Sequence, residues 1–283
     1  DHAPTVVVTI GWASIMRWAC SAGSATPASV APMAPARPVL APMLCALLLL
    51  AACGGSDPSG SAGPEREGPA PRDAPLTITT VPGMTGSLVA QARGDRVQVY
   101  ATPAEDQPTV ALDNPNENNA PLVFLVEEAR AEWLQVLLPV RPNGSTGCIR
   151  PADVEVATDP YRIEIALAGH TLSVYDGDQL VAQHPIAVGT ASTPTPGGKY
   201  YIKELLQPPT SDGPYGAYAY GLSGFSNVLD EFNGGNGVIG IHGTNDPSAI
   251  GTDVSNGCIR LTNEAITELV GYLPLGTPVH INP

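Results

Sequence analysis

Short runs of alternating apolar and polar residues, each ended by turn-forming residues, fill most of the chain after residue 76. Such runs predict half-buried β-strands, because successive side chains of a strand point to opposite faces of its sheet. Glycine and proline point the same way, since 30 of each occur among the 283 residues and the interior of a long helix tolerates neither. The sequence therefore predicts a mainly β protein and excludes a coiled coil or a helical bundle.

The runs fall into two groups, which predict two domains. Residues 76–157 are expected to form a small β module that resembles a bacterial Src-homology-3-type barrel, with an immunoglobulin-like sandwich as an alternative. Residues 158–283 are expected to form a larger β-sandwich with one docked helix, which begins at Thr262 or Asn263 and ends before Pro274. The predicted strands lie at 96–100, 122–126, 133–138, 162–167, 171–175, 180–188, 199–202, 238–241 and 278–281.

The first 75 residues are predicted to be an export signal and a tether. A short apolar stretch at 43–52 has Arg37 upstream and ends at Cys53, which is typical of a secretory signal. The end of this stretch resembles the bacterial lipobox, so we expect residues 1–52 to be an upstream extension and lipoprotein signal peptide, with Met33 as the natural start. Cys53 is then the lipidated first residue of the mature protein; an ordinary signal with an incidental cysteine is the alternative. The Gly/Ser/Pro-rich residues 53–75 predict a disordered tether.

Charge and composition exclude several partners. The chain has 13 basic and 27 acidic residues, a formal net charge of −14. A nucleic-acid binder or a basic membrane-docking face needs the opposite balance. No H-E-x-x-H and no paired C-x-x-C motif is present, which argues against zinc. We expect a monomer with no metal and no cofactor, whose partner is small, polar or zwitterionic.

A cysteine and a histidine near the C-terminus form a candidate nucleophile and base. Cys258 lies in a loop rich in small residues, and His242 ends a predicted strand. A thiol reacts as its thiolate, and a nearby imidazole can take its proton. Backbone N–H groups around Asn256, Gly257 and Cys258 can stabilise an oxyanion, and the Arg260 fork suits a substrate carboxylate. From the residues alone, a Cys148–Cys258 disulfide explains the same cysteines.

Residues 161–282 resemble the L,D-transpeptidase catalytic domain of bacterial cell-wall enzymes, the YkuD-type family. The resemblance is most specific at Ile241-His-Gly243 and at Ser255-Asn-Gly-Cys-Ile-Arg260. It extends to Gly189-Thr190, to 193–198 and to 275–281. Asn256 departs from the histidine that many members have at that position, which puts the hydrogen bonding of the loop in doubt.

This resemblance implies an acyltransferase that works on peptidoglycan stem peptides as donor and acceptor. Cys258 would form a thioester with the third stem residue and release D-alanine, with His242 as acid and base and Gly243 orienting His242. Ser255 and Gly257 would shape the nucleophile loop. The product would be a cross-link between third residues, made at the outer face of the cytoplasmic membrane and important for cell-wall organisation and cell shape. A carboxypeptidase using the same site and a non-catalytic wall-binding lipoprotein are the alternatives.

Three further features receive weaker predictions. The aromatic stretch 214–220 can line a substrate cleft, with Tyr220 as a substrate contact, although alternation along an ordinary strand explains it equally. Gly147-Cys-Ile-Arg150 repeats Gly257-Cys-Ile-Arg260, but no His-Gly precedes it, so Cys148 is predicted to be a buried thiol. The remaining strand and turn histidines are predicted to be structural or solvated: His170, His184 and His280.

Overall fold

The computed structural model describes residues 86–231 and 235–283. The predicted signal peptide, the lipidation site Cys53 and the tether lie outside the described residues. No helix in the described part of the chain has the length and apolar character needed to cross a membrane.

All the strand pairs of the first module are antiparallel. Five of them form a sheet in the order β6-β5-β4-β1-β7, and a separate hairpin pairs β2 with β3. Backbone hydrogen bonds of 2.9 and 2.8 Å between Tyr100 and Cys148 connect the end of β2 to β6. The strands are β1 Ser87–Ala92, β2 Arg96–Val99, β3 Val110–Asp113, β4 Val123–Ala129, β5 Leu134–Leu137, β6 Thr146–Ile149 and β7 Val154–Asp159. Whether this module is closer to a barrel or to an immunoglobulin-like sandwich stays a prediction.

The second domain contains an eight-stranded sheet in the order β10-β9-β8-β17-β12-β13-β14-β16 and a small parallel pair, β11 with β15. Most neighbours are antiparallel, but β14–β16 and β8–β17 are parallel. The elements are β8 Tyr161–Ala166, β9 Thr171–Asp176, β10 Gln179–Pro185, β11 Val188–Gly189, β12 Gly198–Leu206, β13 Ala219–Phe225, β14 Val238–His242, β15 Asp253–Ser255, β16 Ile259–Arg260, α1 Asn263–Val270 and β17 Pro278–Asn282. The predicted fold class, mainly β with one helix, is confirmed.

Helix α1 follows directly from the strand that carries the candidate arginine. Thr262 caps it, since its hydroxyl accepts the N–H of Ala265 at 3.2 Å. Ile266 and Leu269 are fully buried against the sheet, in one core with Ile241 and Ile259. This packing fixes the strand ends next to the helix, which is where the candidate site lies.

The two modules are in direct contact. Tyr201 of β12 is buried with Val89 and Leu125 of the first module. The side chain of Asn143 also accepts the N–H of Phe225 at 2.9 Å and donates to its carbonyl at 2.8 Å. Strand β7 runs to Asp159, two residues beyond the predicted boundary at 157, and a single proline separates it from β8.

Candidate active site

Parallel pairing of β14 with β16 places His242 opposite Arg260 and puts Cys258 just before β16. Ile241 pairs with Ile259, and His242 pairs with Arg260. Cys258 is the residue directly before β16, and the positive charge of Arg260 acts on both the Cys258 thiol and the His242 imidazole. The backbone of Gly240 hydrogen-bonds the Cys258 thiol. The guanidinium of Arg260 therefore lies near both the thiol and the imidazole.

The turn that leads to Cys258 is held by one serine hydroxyl. Ser255 is 1% exposed. Its Oγ accepts the N–H of Gly257 at 3.0 Å and donates to the carbonyl of Cys258 at 2.6 Å. Gly257 has φ of +114°, in the region that favours glycine. Because the Gly257 N–H is already used, the N–H groups of Asn256 and Cys258 are the better oxyanion candidates in this loop.

A threonine-rich turn supports the loop from behind. The N–H of Thr190 and the hydroxyl of Thr193 both donate to the carbonyl of Ser255, at 3.1 and 3.0 Å. The two threonine hydroxyls lie 2.9 Å apart. These residues belong to the motif that the sequence resemblance includes, but their contact with Ser255 could not be predicted because it joins segments 62 residues apart.

The imidazole of His242 is held in one orientation by its own neighbour. Its Nδ1 donates to the carbonyl of Gly243 at 2.6 Å. With the proton on Nδ1, the other ring nitrogen, Nε2, is free to accept a proton. The role implied for Gly243, orienting His242, corresponds to this backbone contact.

Burial and charge set the protonation of both groups. His242 is only 4% exposed, and burial, assisted by the positive charge of Arg260, lowers its pKa to about 4. Burial raises the pKa of the Cys258 thiol, although the Gly240 hydrogen bond and Arg260 act in the opposite direction. At neutral pH the imidazole and the thiol are therefore both uncharged, and an uncharged imidazole is the form that can accept a proton.

Arg260 is partly exposed and has no ion-pair partner in the described residues, and its buried Nε has no hydrogen-bond partner there. The other basic side chains of this domain are placed differently. Lys199 pairs with Glu127, Lys203 with Glu204, and Arg162 with Glu164. Arg260 thus offers an unneutralised guanidinium next to the thiol, where a substrate carboxylate can bind.

The prediction that Tyr220 contacts substrate is wrong. Tyr220 is 1% exposed, and its hydroxyl donates to the carbonyl of Leu273 at 3.1 Å, inside the core. The aromatic residue at the site is Tyr215, from the same stretch, whose ring lies 5.0 Å from the imidazole of His242 in an edge-on arrangement. Alternation along the stretch could not tell which tyrosine faces the histidine.

The disulfide alternative is also contradicted, since Cys148 and Cys258 are both free. Among the other residues considered, the Asn256 side chain is exposed. The other three histidines of the described residues lie next to carboxylates: His170 at 2.7 Å from Asp253, His184 at 3.5 Å from Glu268 and His280 at 3.0 Å from Glu164. Across the described residues, no group of three or more His, Cys, Asp or Glu side chains is arranged to hold a metal ion.

Comparison with known proteins identifies the class. A family model described as the L,D-transpeptidase catalytic domain (YkuD) matches residues 160–281. The putative L,D-transpeptidase YkuD of Bacillus licheniformis is 44% identical over 126 residues, which cover 44% of this chain and 68% of that protein. Its counterpart in Bacillus subtilis is 39% identical over 125 residues, with the same coverage. The chain therefore belongs to the YkuD-type L,D-transpeptidase family.

Solved structures in the same class are more distant. The structure of Bdellovibrio bacteriovorus Bd1075 is 29% identical with a TM-score of 0.35, covering 44% of this chain and 48% of that one. An L,D-transpeptidase from Mycobacterium smegmatis is 13% identical with a TM-score of 0.37, covering 66% of this chain and 99% of that one. The family assignment rests on the sequence relatives.

Proposed function

We propose that the chain is a cysteine L,D-transpeptidase that cross-links peptidoglycan stem peptides through a thioester on Cys258. The observation that supports this proposal is that His242 pairs with Arg260 across β14 and β16, while the unpaired Arg260 guanidinium acts on both the Cys258 thiol and the His242 imidazole. A neutral imidazole with a free Nε2 is the form that can take a proton from a neutral thiol.

In the first step, the sulfur of Cys258 attacks the carbonyl carbon of the third residue of a donor stem. The thiol proton moves to Nε2 of His242, and the developing oxyanion is stabilised by the N–H groups of Asn256 and Cys258. The C–N bond to the terminal D-alanine then breaks, and the imidazolium returns the proton to the leaving amine. A thioester and free D-alanine result. Arg260 binds a carboxylate of the donor stem.

In the second step, the side-chain amine of the third residue of an acceptor stem attacks the thioester. His242 takes a proton from the amine, and the C–S bond breaks as the cysteine leaves. The proton returns to the sulfur, and the product is an amide between two third residues. No external energy source is needed, because the thioester retains the acyl group of the broken amide.

Mass spectrometry of products from purified tetrapeptide muropeptides tests this reaction. We expect cross-linked dimers with the parent protein and none with Cys258→Ala. Tripeptides without dimers would instead establish the carboxypeptidase, in which water accepts the acyl group. If the folded parent gives no product, the non-catalytic wall-binding protein is the remaining alternative. The version of that alternative with a Cys148–Cys258 disulfide disagrees with the two free cysteines.

We further propose that the protein is a monomer exported and anchored to the outer face of the bacterial cytoplasmic membrane. The sequence signal for this is the lipobox-like segment ending at Cys53. Metabolic labelling with a fatty acid should modify the parent and not Cys53→Ala. Equal labelling of both proteins would rule out the anchor.

A further inference from the structure

The segment 207–218, which connects β12 to β13, covers the imidazole of His242. Tyr215 contributes the covering ring, at 5.0 Å between ring centroids and 63° between ring planes. The segment therefore helps to bury the imidazole, which is 4% exposed. Most of its other side chains are at least partly exposed, so something must hold Tyr215 in place.

Asn263, the first residue of α1, binds this segment on both sides of Tyr215. Its Oδ1 accepts the N–H of Ala217 at 3.0 Å. Its Nδ2 donates to the carbonyl of Ser211 at 3.2 Å. Both functional atoms of one amide are thus used on two points of the same segment.

Two glycines leave room for the Asn263 amide to approach the end of β14. Gly216 has φ of +64°, and a Cβ there would overlap Asn263 Oδ1 and would lie 2.5 Å from the carbonyl carbon of Gly243. A Cβ on Gly243 would overlap the same Oδ1. Asn263, Gly216 and Gly243 are therefore in direct contact, and the carbonyl of Gly243 is the group that receives Nδ1–H of His242.

We propose that Asn263 is a positioning residue: its side-chain amide latches the 207–218 segment onto Gly243 and so keeps Tyr215 against His242. It acts through these neighbours and does not touch substrate. The inference rests on the proposed role of His242 as acid and base. It assigns the maintenance of that role to Asn263, which lies outside the motifs at 241–243 and 255–260.

The latch has a consequence for proton transfer. His242 is faced by Tyr215 of the segment, by Arg260 of β16 and by the carbonyl of Gly243. Burial is the main reason that the pKa of His242 falls from 6.5 to about 4. Releasing the segment admits water, which favours the charged imidazolium and moves the pKa upward.

The test is an NMR pH titration of the His242 imidazole in the full-length parent, in Asn263→Ala and in Asn263→Ser, with Glu264→Gln as the control. Glu264 is exposed in the same helical turn. We expect the midpoint of His242 to rise by about 1 on the pH scale in both Asn263 variants and to stay in place in the control. The amide hydrogen of Ala217 should exchange about tenfold faster in both variants, because its acceptor is gone.

An unchanged His242 midpoint in the folded Asn263 variants would overturn the latch, as would an equal shift in Glu264→Gln. Serine is well tolerated at helix N-termini, so Asn263→Ser provides a result if Asn263→Ala does not fold. The titration does not require turnover. Failure of the parent to form a cross-link would therefore overturn the proposed function, whereas the latch stands or falls on the His242 midpoint alone.

Discussion

The tetrapeptide Gly-Cys-Ile-Arg occurs twice in this chain, at 147–150 and at 257–260, with opposite surroundings. In the first copy Cys148 is an interior strand residue, 6% exposed, packed with Tyr100 and Trp133. In the second copy Cys258 is partly exposed and follows a glycine with positive φ. The same four residues thus give a core position in one module and the proposed nucleophile in the other.

The groups that shift the pKa of each cysteine also differ between the two copies. Burial and the carboxylates of Glu105 and Glu128 all raise the pKa of Cys148. Burial also raises the pKa of Cys258, but Gly240 and Arg260 oppose it. The arginine of the first copy, Arg150, lies 5.3 Å from the ring centres of Tyr100 and Trp133. The four-residue motif alone therefore does not set the reactivity of its cysteine. The copy at 257–260 pairs with β14, which carries His242, whereas the copy at 147–150 pairs with β5.

The largest expected effect separates the two cysteines. Treatment of the folded, unreduced protein with iodoacetamide should modify Cys258 and leave Cys148 untouched, because Cys258 is partly exposed and Cys148 is buried. A carbapenem, which acylates members of the family that this sequence resembles, should form an adduct that Cys258→Ala abolishes. Cys148→Ala should keep the acylation rate within about twofold, since a buried thiol outside the site takes no part in proton transfer. Intact-mass spectrometry with peptide mapping measures both results.

Rapid labelling of Cys148 in the folded protein would contradict this comparison. So would loss of the carbapenem adduct in a folded Cys148→Ala variant. Either result would mean that the environment of the second copy is not what makes its thiol reactive.

The second prediction concerns the histidine that only one copy has nearby. His242→Ala should slow carbapenem acylation by about 10²–10⁴-fold while circular dichroism stays unchanged, because the thiol loses its general base. In the parent, the acylation rate should fall as pH drops through about 4, since the imidazole is protonated below its lowered pKa. Stopped-flow measurements across pH check the position of this limb. A limb near the ordinary value of 6.5 would show that His242 is not desolvated.

Much of the fold could be predicted from the sequence because burial imposes a period of two on half-buried strands. The strands at 162–167 and 171–175 appear within one residue of their predicted bounds, as β8 and β9. The predicted strand at 180–188 is divided by Ile186 and Ala187 into β10 and β11. Strands β15 and β16 were not predicted, because segments of three and two residues are too short to show a period.

The candidate site could likewise be predicted from the sequence only in part. The family resemblance of the His-Gly and Ser-x-Gly-Cys-x-Arg motifs predicted Cys258 and His242, whereas contacts between distant segments were missed. Thr262 and Asn263 were equivalent candidates for the helix cap. In the structure Thr262 takes the cap, and Asn263 is left to bond the segment that carries Tyr215. That choice depends on a loop about 50 residues earlier, which local propensity does not report.

The smallest expected effects distinguish the two arginines. Arg260→Ala should lower kcat/KM for tetrapeptide muropeptides by about 10- to 100-fold, mainly through KM, because it removes a charged hydrogen-bond donor for a substrate carboxylate. Arg150→Ala should leave kcat/KM unchanged and lower the free energy of unfolding by about 1 kcal/mol, the usual size of a cation–π contact. Steady-state kinetics and urea denaturation give the two quantities. Equal losses of activity in both variants would mean that the arginine of the second copy is structural, as in the first, and that the carboxylate is bound elsewhere.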